Sequence, residues 1–85
     1  MNIELRFFAS VREKLGTDHE RLALPDNVRT VGDVRQYLIG RGGAWTEALA
    51  EGRPLRMACN QLMTGPETIL SEGCEVAFFP PVTGG

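Results

Sequence analysis

Thr30-Val31-Gly32-Asp33-Val34-Arg35-Gln36-Tyr37-Leu38 is the stretch on which the fold turns. Val31, Val34 and Leu38 recur at helical spacing and give the segment one apolar stripe. Thr30 is placed to cap the first turn, and Asp33 sits where the positive end of a helix favours a carboxylate. Gly40 and Gly42-Gly43 end the helix. A helix with one apolar stripe must bury it against another layer, and the segments on either side supply a sheet.

On the N-terminal side, Asn2 to Phe8 alternates. Ile3, Leu5 and Phe7 fall on one face, and Glu4, Arg6 and Phe8 on the other, which is the pattern of a half-buried strand. Ser10-Val11-Arg12-Glu13 has the form of a capping box and Gly16 that of a helix stop, so a short helix is expected between them. Glu20 to Leu24 reads as a second strand, stopped by Pro25-Asp26-Asn27.

On the C-terminal side, Ala44 to Glu51 is expected to form another short helix, with Trp45, Ala48 and Leu49 inward. Leu55 to Cys59 is a third strand, and Asn60-Gln61 turns into a short edge segment at Leu62-Met63. Thr64-Gly65-Pro66 and Ser71-Glu72-Gly73 are turns, the second launching a last strand from Cys74 to Phe79. The expectation is an α+β domain over residues 1–79. It has the length and order of a β-grasp, ubiquitin-like fold, with a mixed sheet of four to five strands on one main helix and short extra helices.

Pro80-Pro81 ends the last strand, because proline cannot continue a sheet ladder and fixes φ. Residues 80–85 are therefore expected to form a flexible tail, with Val82-Thr83-Gly84-Gly85 as an exposed arm. Glycine has no Cβ, so a Gly-Gly end fits a channel too narrow for other residues. Such an arm offers the Gly85 carboxylate as the functional group. Two large aromatics, Phe8 and Phe79, fall on the wet face of their strands by parity, and exposed aromatics mark a contact surface.

The run Val76-Ala77-Phe78-Phe79-Pro80-Pro81-Val82-Thr83-Gly84-Gly85 closely resembles the C-terminus of the small, sulfur-carrying subunits of molybdopterin synthases. Phe7-Phe8-Ala9-x-Val11-Arg12-Glu13-x-x-Gly16, Asn60-Gln61 and Glu72-Gly73-x-Glu75-Val76 add to the resemblance, which spans nearly the whole chain. Cys74 departs from it, standing where that family more often has an acidic turn residue.

The resemblance implies a chemistry. An enzyme similar to ubiquitin-activating enzymes adenylates the Gly85 carboxylate, using ATP and Mg²⁺, and a sulfurtransferase system converts it to a thiocarboxylate. Pro80, Pro81, Val82, Thr83 and Gly84 thread the tail into the large catalytic subunit. There the sulfur passes to a pterin precursor and builds the dithiolene. It further implies that Phe8, Met63 and Phe79 contact the large subunit, in a heterotetramer. For Phe8 and Phe79 the parity of the strands points the same way; Met63 rests on the resemblance.

The remaining residues carry no catalytic equipment. No phosphate-binding loop of the G-x-x-x-x-G-K-S/T type occurs, and Gly40-Arg41-Gly42-Gly43 ends a helix rather than opening one. His19 is the only histidine and is expected at the surface or a strand edge, and the carboxylates are scattered. Cys59 and Cys74 lack metal-ligand spacing and read as buried, reduced thiols, so no metal is expected. The net charge of −2 argues against nucleic acid as the main partner. Glu4 and Arg6 interrupt any N-terminal apolar run, and no stretch is long enough to span a membrane, so a cytoplasmic chain binding no cofactor of its own is expected. Three other readings stay open: a sulfur carrier for thiazole synthesis, a ubiquitin-like modifier joined to lysines, and an adaptor that never uses its carboxylate.

Overall fold

The computed structural model describes residues 1–81. The elements follow in the order β1 (Asn2–Phe7), α1 (Ala9–Leu15), β2 (His19–Ala23), α2 (Val31–Ile39), α3 (Ala44–Leu49), β3 (Arg56–Cys59), β4 (Leu62–Thr64) and β5 (Glu75–Phe79). The five strands form one sheet in the order β2-β1-β5-β3-β4. β1 and β5 run parallel, with Leu5 opposite Val76 and Phe7 opposite Phe78, while the other neighbours are antiparallel. This is the β-grasp anticipated from the order of elements.

The alternation in β1 turns Ile3, Leu5 and Phe7 toward the helices, and Val76 and Phe78 of β5 join them. Val31, Val34 and Leu38 of α2 close the core from the other side, all fully buried, as the helical stripe required. Thr30 caps α2 reciprocally: its hydroxyl accepts from the Asp33 N–H at 3.1 Å, and the Asp33 carboxylate accepts from the Thr30 N–H at 3.2 Å. The same carboxylate accepts from the Arg29 N–H at 3.0 Å, and that bond is the main cause of its lowered pKa.

Three local features depart from the sequence pattern. The first is the start of α1, where no box forms around Ser10. Phe8 occupies the N-cap and its carbonyl accepts from the N–H groups of Val11 and Arg12. Ala9 takes a φ of +52°, so the chain turns out of β1 across Phe8 alone and the helix begins two residues before a cap at Ser10 would start it. The second is Arg35, which sits between Val34 and Leu38 yet is only 7% exposed. Its guanidinium donates to the carbonyl oxygens of Leu49 at 2.7 Å and Ala50 at 2.6 Å. Those carbonyls end α3 and have no helical partner, so a buried cation from α2 satisfies them. The third is Gly32, whose N–H donates to the Pro66 carbonyl at 2.8 Å. A Cβ at Gly32 would lie 2.9 Å from the Pro66 Cβ, so the first turn of α2 is glycine because the β4–β5 connection crosses it.

The β3–β4 hairpin turns on Asn60 and Gln61, both with positive φ (52° and 69°), as two-residue hairpins demand. Asn60 also stitches this turn to β5. Its N–H donates to the Glu75 carbonyl at 2.8 Å, and its side-chain oxygen accepts from the Glu75 N–H at 3.0 Å. Arg41, in the Gly40–Gly43 helix stop, bonds Glu20 of β2 and lies over the Trp45 ring at 4.4 Å. Trp45 in turn packs edge-on against Phe7, with centroids 5.6 Å apart.

Candidate functional site

The face of the sheet turned away from the helices is set by register. Arg6 of β1 stands opposite Ala77 of β5, Ala77 opposite Ala58 of β3, and Ala58 opposite Met63 of β4. One residue further along β1 and β5, the parallel pair Phe7–Phe78 points inward. Phe8 and Phe79 therefore emerge together on the outer face. Their rings meet edge to face, with centroids 6.3 Å apart and planes at 81°.

Phe8 is 41% exposed and Met63 63% exposed, while Phe79 is half-buried against its neighbours. The expectation that both rings face water thus holds for Phe8 and only in part for Phe79. Between these side chains the sheet carries only alanine. Ala58 and Ala77 are 7% and 4% exposed, yet neither belongs to the core cluster. Small residues on a sheet face leave a shallow apolar floor, here rimmed by Phe79 and Met63.

Two cations flank the aromatic pair. The Arg6 guanidinium lies 5.7 Å from the centre of the Phe8 ring. Arg56 stands opposite Phe79 in the β3–β5 register, on the same outer face. Sequence reading put Arg6 on the wet face but could not place Arg56 beside Phe79, because that neighbour lies in another strand. The acids of this face are grouped at its other end. Glu4 is opposite Glu75, and its carboxylate binds His19 at 2.6 Å and Arg21 at 3.0 Å. The hydrogen bond from His19, then that from Arg21, holds the Glu4 carboxyl below its ordinary value.

β5 leads from this face into Pro80 and Pro81. Both are half-buried and line a groove of about 300 Å³ with Ser10, Lys14, Ala48 and Arg53 among its walls. The expectation of a tail beginning at residue 80 therefore shifts: the two prolines pack on the body of the domain. Val82, Thr83, Gly84 and Gly85 lie outside the described residues.

Cys74 is buried and Cys59 half-buried, both as free thiols. Burial, then the neighbouring Cys74, pushes the Cys59 thiol up, which is the direction of an unreactive cysteine. Among the described residues, no cluster of His, Cys, Asp and Glu could hold a metal ion.

Residues 5–85 match the ThiS family. Over 83 residues the chain is 41% identical to the molybdopterin synthase sulfur carrier subunit of Haemophilus influenzae and 43% identical to that of Escherichia coli. Each alignment covers 98% of this chain and 99% of the relative. The chain belongs to this family, the sulfur carrier subunits of molybdopterin synthase. The chain also resembles archaeal modifiers. The chain is 36% identical to small archaeal modifier protein 3 of Haloferax volcanii, with both chains covered in full. Its fold matches the crystal structure of SAMP1 from Haloferax volcanii, with a TM-score of 0.76, 26% identity and both chains fully covered. It also matches a chain in the complex of subunits 1 and 2 of the molybdopterin-converting factor from Helicobacter pylori. There the TM-score is 0.68 at 22% identity over the whole of both chains, a likeness of fold.

Proposed function

We propose that this chain carries sulfur on Gly85 and delivers it as the non-catalytic small subunit of a molybdopterin synthase. The observation that carries the reading is the aromatic pair at the root of the terminal segment. Phe8 and Phe79 form an exposed apolar patch, and the strand that bears Phe79 runs directly into the prolines and the Gly-Gly end. A partner that grips this patch holds Gly85 within reach of the four residues that follow Pro81, roughly 14 Å when extended.

The chemistry follows from the carboxylate. Oxide is a poor leaving group, so the Gly85 carboxylate must first attack the α-phosphate of ATP, releasing pyrophosphate and forming an acyl-adenylate. The terminal sulfur of a donor persulfide then displaces AMP to give an acyl disulfide. A thiol attacking the donor sulfur of that disulfide releases the thiocarboxylate and leaves the donor as a disulfide. ATP and Mg²⁺ belong to an activating partner similar to ubiquitin-activating enzymes, and the chain itself binds neither in this proposal. The large subunit takes the patch formed by Phe8, Phe79 and Met63, and receives Pro80 to Gly84 as the threading segment. We place these steps in the cytoplasm. Among the described residues, no helix is long and apolar enough to cross a membrane.

Intact-mass measurement of the protein purified from its own host tests the reading. The expected species is heavier than the carboxylate form by the difference between sulfur and oxygen. A chain extended past Gly85, and shown to remain untrimmed, should not load. Dithiolene formation by that extended chain would sink the proposal. The kinship with the Haloferax modifier favours a second reading, an isopeptide link from Gly85 to lysines of other proteins. It predicts conjugates of higher mass that persist under reducing denaturation.

A further inference from the structure

Arg6 stands at the centre of the outer face with a polar atom out of water and out of reach of a partner. Its Nε is buried and makes no hydrogen bond among the described residues. This one N–H loses hydration without compensation, while the rest of the half-buried guanidinium stays open to a partner. The nearby acids do not relieve it. Glu4, two residues away on the same face, is committed to His19 and Arg21. Glu20, on β2, turns to the helix side and pairs with Arg41. Across the sheet Arg6 meets only the methyl group of Ala77 and, on its other side, His19. The Phe8 ring beside it fixes its position but accepts no conventional hydrogen bond.

Arg56 is a second cation, on the far side of Phe79. It is exposed, and it makes no salt bridge among the described residues. The aromatic pair is thus bracketed by two cations, with the acids Glu4 and Glu75 gathered at the other end of the face. An apolar partner surface alone would cover Phe8 and Phe79 but would take the open part of the Arg6 guanidinium out of water and leave it unpaired.

We propose that Arg6 is a specificity residue of the docking face, and that the large subunit brings a carboxylate to it, with Arg56 steering the same acidic group across Phe79. The proposal rests on the docking reading above and adds the charge that the partner must present. A carboxylate accepts two parallel bonds from a guanidinium, which a backbone carbonyl cannot do. The strip Arg6–Phe8–Phe79–Arg56 therefore selects a partner with an apolar centre and an acidic edge. Partners with a basic edge are rejected by like-charge approach.

The test compares Arg6→Leu, Arg6→Lys, Arg56→Gln and Phe8→Arg. Each is titrated calorimetrically with the large subunit from the same host at two salt concentrations, and the melting temperature of each free variant is recorded. Arg6→Leu should bind on the order of 30-fold more weakly, the lower end of what unpairing a buried interfacial charge costs. Its salt dependence should shrink, and its melting temperature should stay level or rise because an unsatisfied polar atom has gone. Arg6→Lys should recover part of the affinity. Arg56→Gln should slow association at low salt and lose little affinity.

If Arg6→Leu binds like the parent with the same salt dependence while Phe8→Arg fails to bind, the charge proposal falls and the docking reading survives. If Phe8→Arg binds as well as the parent, the docking reading itself falls. A salt-sensitive dimer of the isolated chain in sedimentation, lost in Arg6→Leu, would assign the acidic group to a second copy's Glu4–Glu75 end and overturn the proposal.

Discussion

Phe8 and Phe79 lie 71 positions apart in the chain and meet edge to face on the outer side of the sheet, with ring centroids 6.3 Å apart. The contact exists because β1 and β5 are parallel neighbours in a register that pairs Phe7 with Phe78. Two residues that each break the polar pattern of their own strand thereby become one patch, at the point where the chain leaves the sheet.

Phe8→Arg should weaken binding to the large subunit by at least about tenfold, given roughly 1.5–3 kcal/mol for burying one such side chain. The melting temperature of the free domain should barely move, since Phe8 is exposed there. Phe79→Arg should lose both, because Phe79 is half-buried in the isolated chain. Thermal melts and titrations on the same variants check this. A Phe8→Arg domain that melts much earlier yet binds normally would show the ring to be structural.

Gly32→Ala tests the close approach of Pro66. Helix propensity alone favours alanine by about 1 kcal/mol. The added Cβ would fall 3.0 Å from the Pro66 carbonyl oxygen and 2.9 Å from its Cβ. The expected outcome is a net loss of roughly 1–3 kcal/mol in urea unfolding, the usual cost of overpacking. A rise in stability would mean that the β4–β5 connection moves aside freely.

Arg35 holds the end of α3 from a position that helical spacing would give to the core. Arg35→Met keeps the aliphatic bulk and removes the donors to Leu49 and Ala50. Charge-assisted bonds contribute about 1.5–3 kcal/mol each, so the variant should lose on the order of 2–4 kcal/mol after regaining apolar burial. Amide exchange should rise first in α3. Uniform loss of protection across the sheet would contradict the assigned role.

The capping pair of α2 makes a prediction about acid. Asp33 has its pKa lowered from an ordinary 3.8, chiefly by the Arg29 N–H and then by the Thr30 N–H. A depressed carboxyl adds stability that is present above its unfolded pKa and lost as pH falls through the lower folded value. Glu4 and Glu20 are lowered from 4.5, by hydrogen bonds from His19 and Arg41 respectively, and act in the same direction. Stability should hold from neutrality to about pH 5 and decline below about pH 4.5, and Asp33→Asn should flatten the lower part of that decline. Thr30→Ala should cost about 1 kcal/mol at neutral pH. An acid limb unchanged in Asp33→Asn would remove the cap from the account.

The sequence by itself determined everything that depends on local periodicity. The stripe Val31, Val34 and Leu38 defined α2, and the alternation from Ile3 to Phe7 defined β1 and its wet face. Proline after Phe79 defined where β5 stops, and the Phe-Phe-Pro-Pro-Val-Thr-Gly-Gly run carried the family. These signals are legible because a helix or a strand repeats its environment every few residues. Tertiary structure decided what depends on which elements become neighbours. Only the parallel pairing of β1 and β5 brings Phe8 to Phe79, and only the β3–β5 register sets Arg56 beside them. The burial of Arg35 is invisible locally, because the carbonyls that justify it belong to α3. Gly32 reads as a flaw in a helix until Pro66 is seen against it. In each case the deciding partner is distant in the chain, so no window of sequence contains both halves of the interaction.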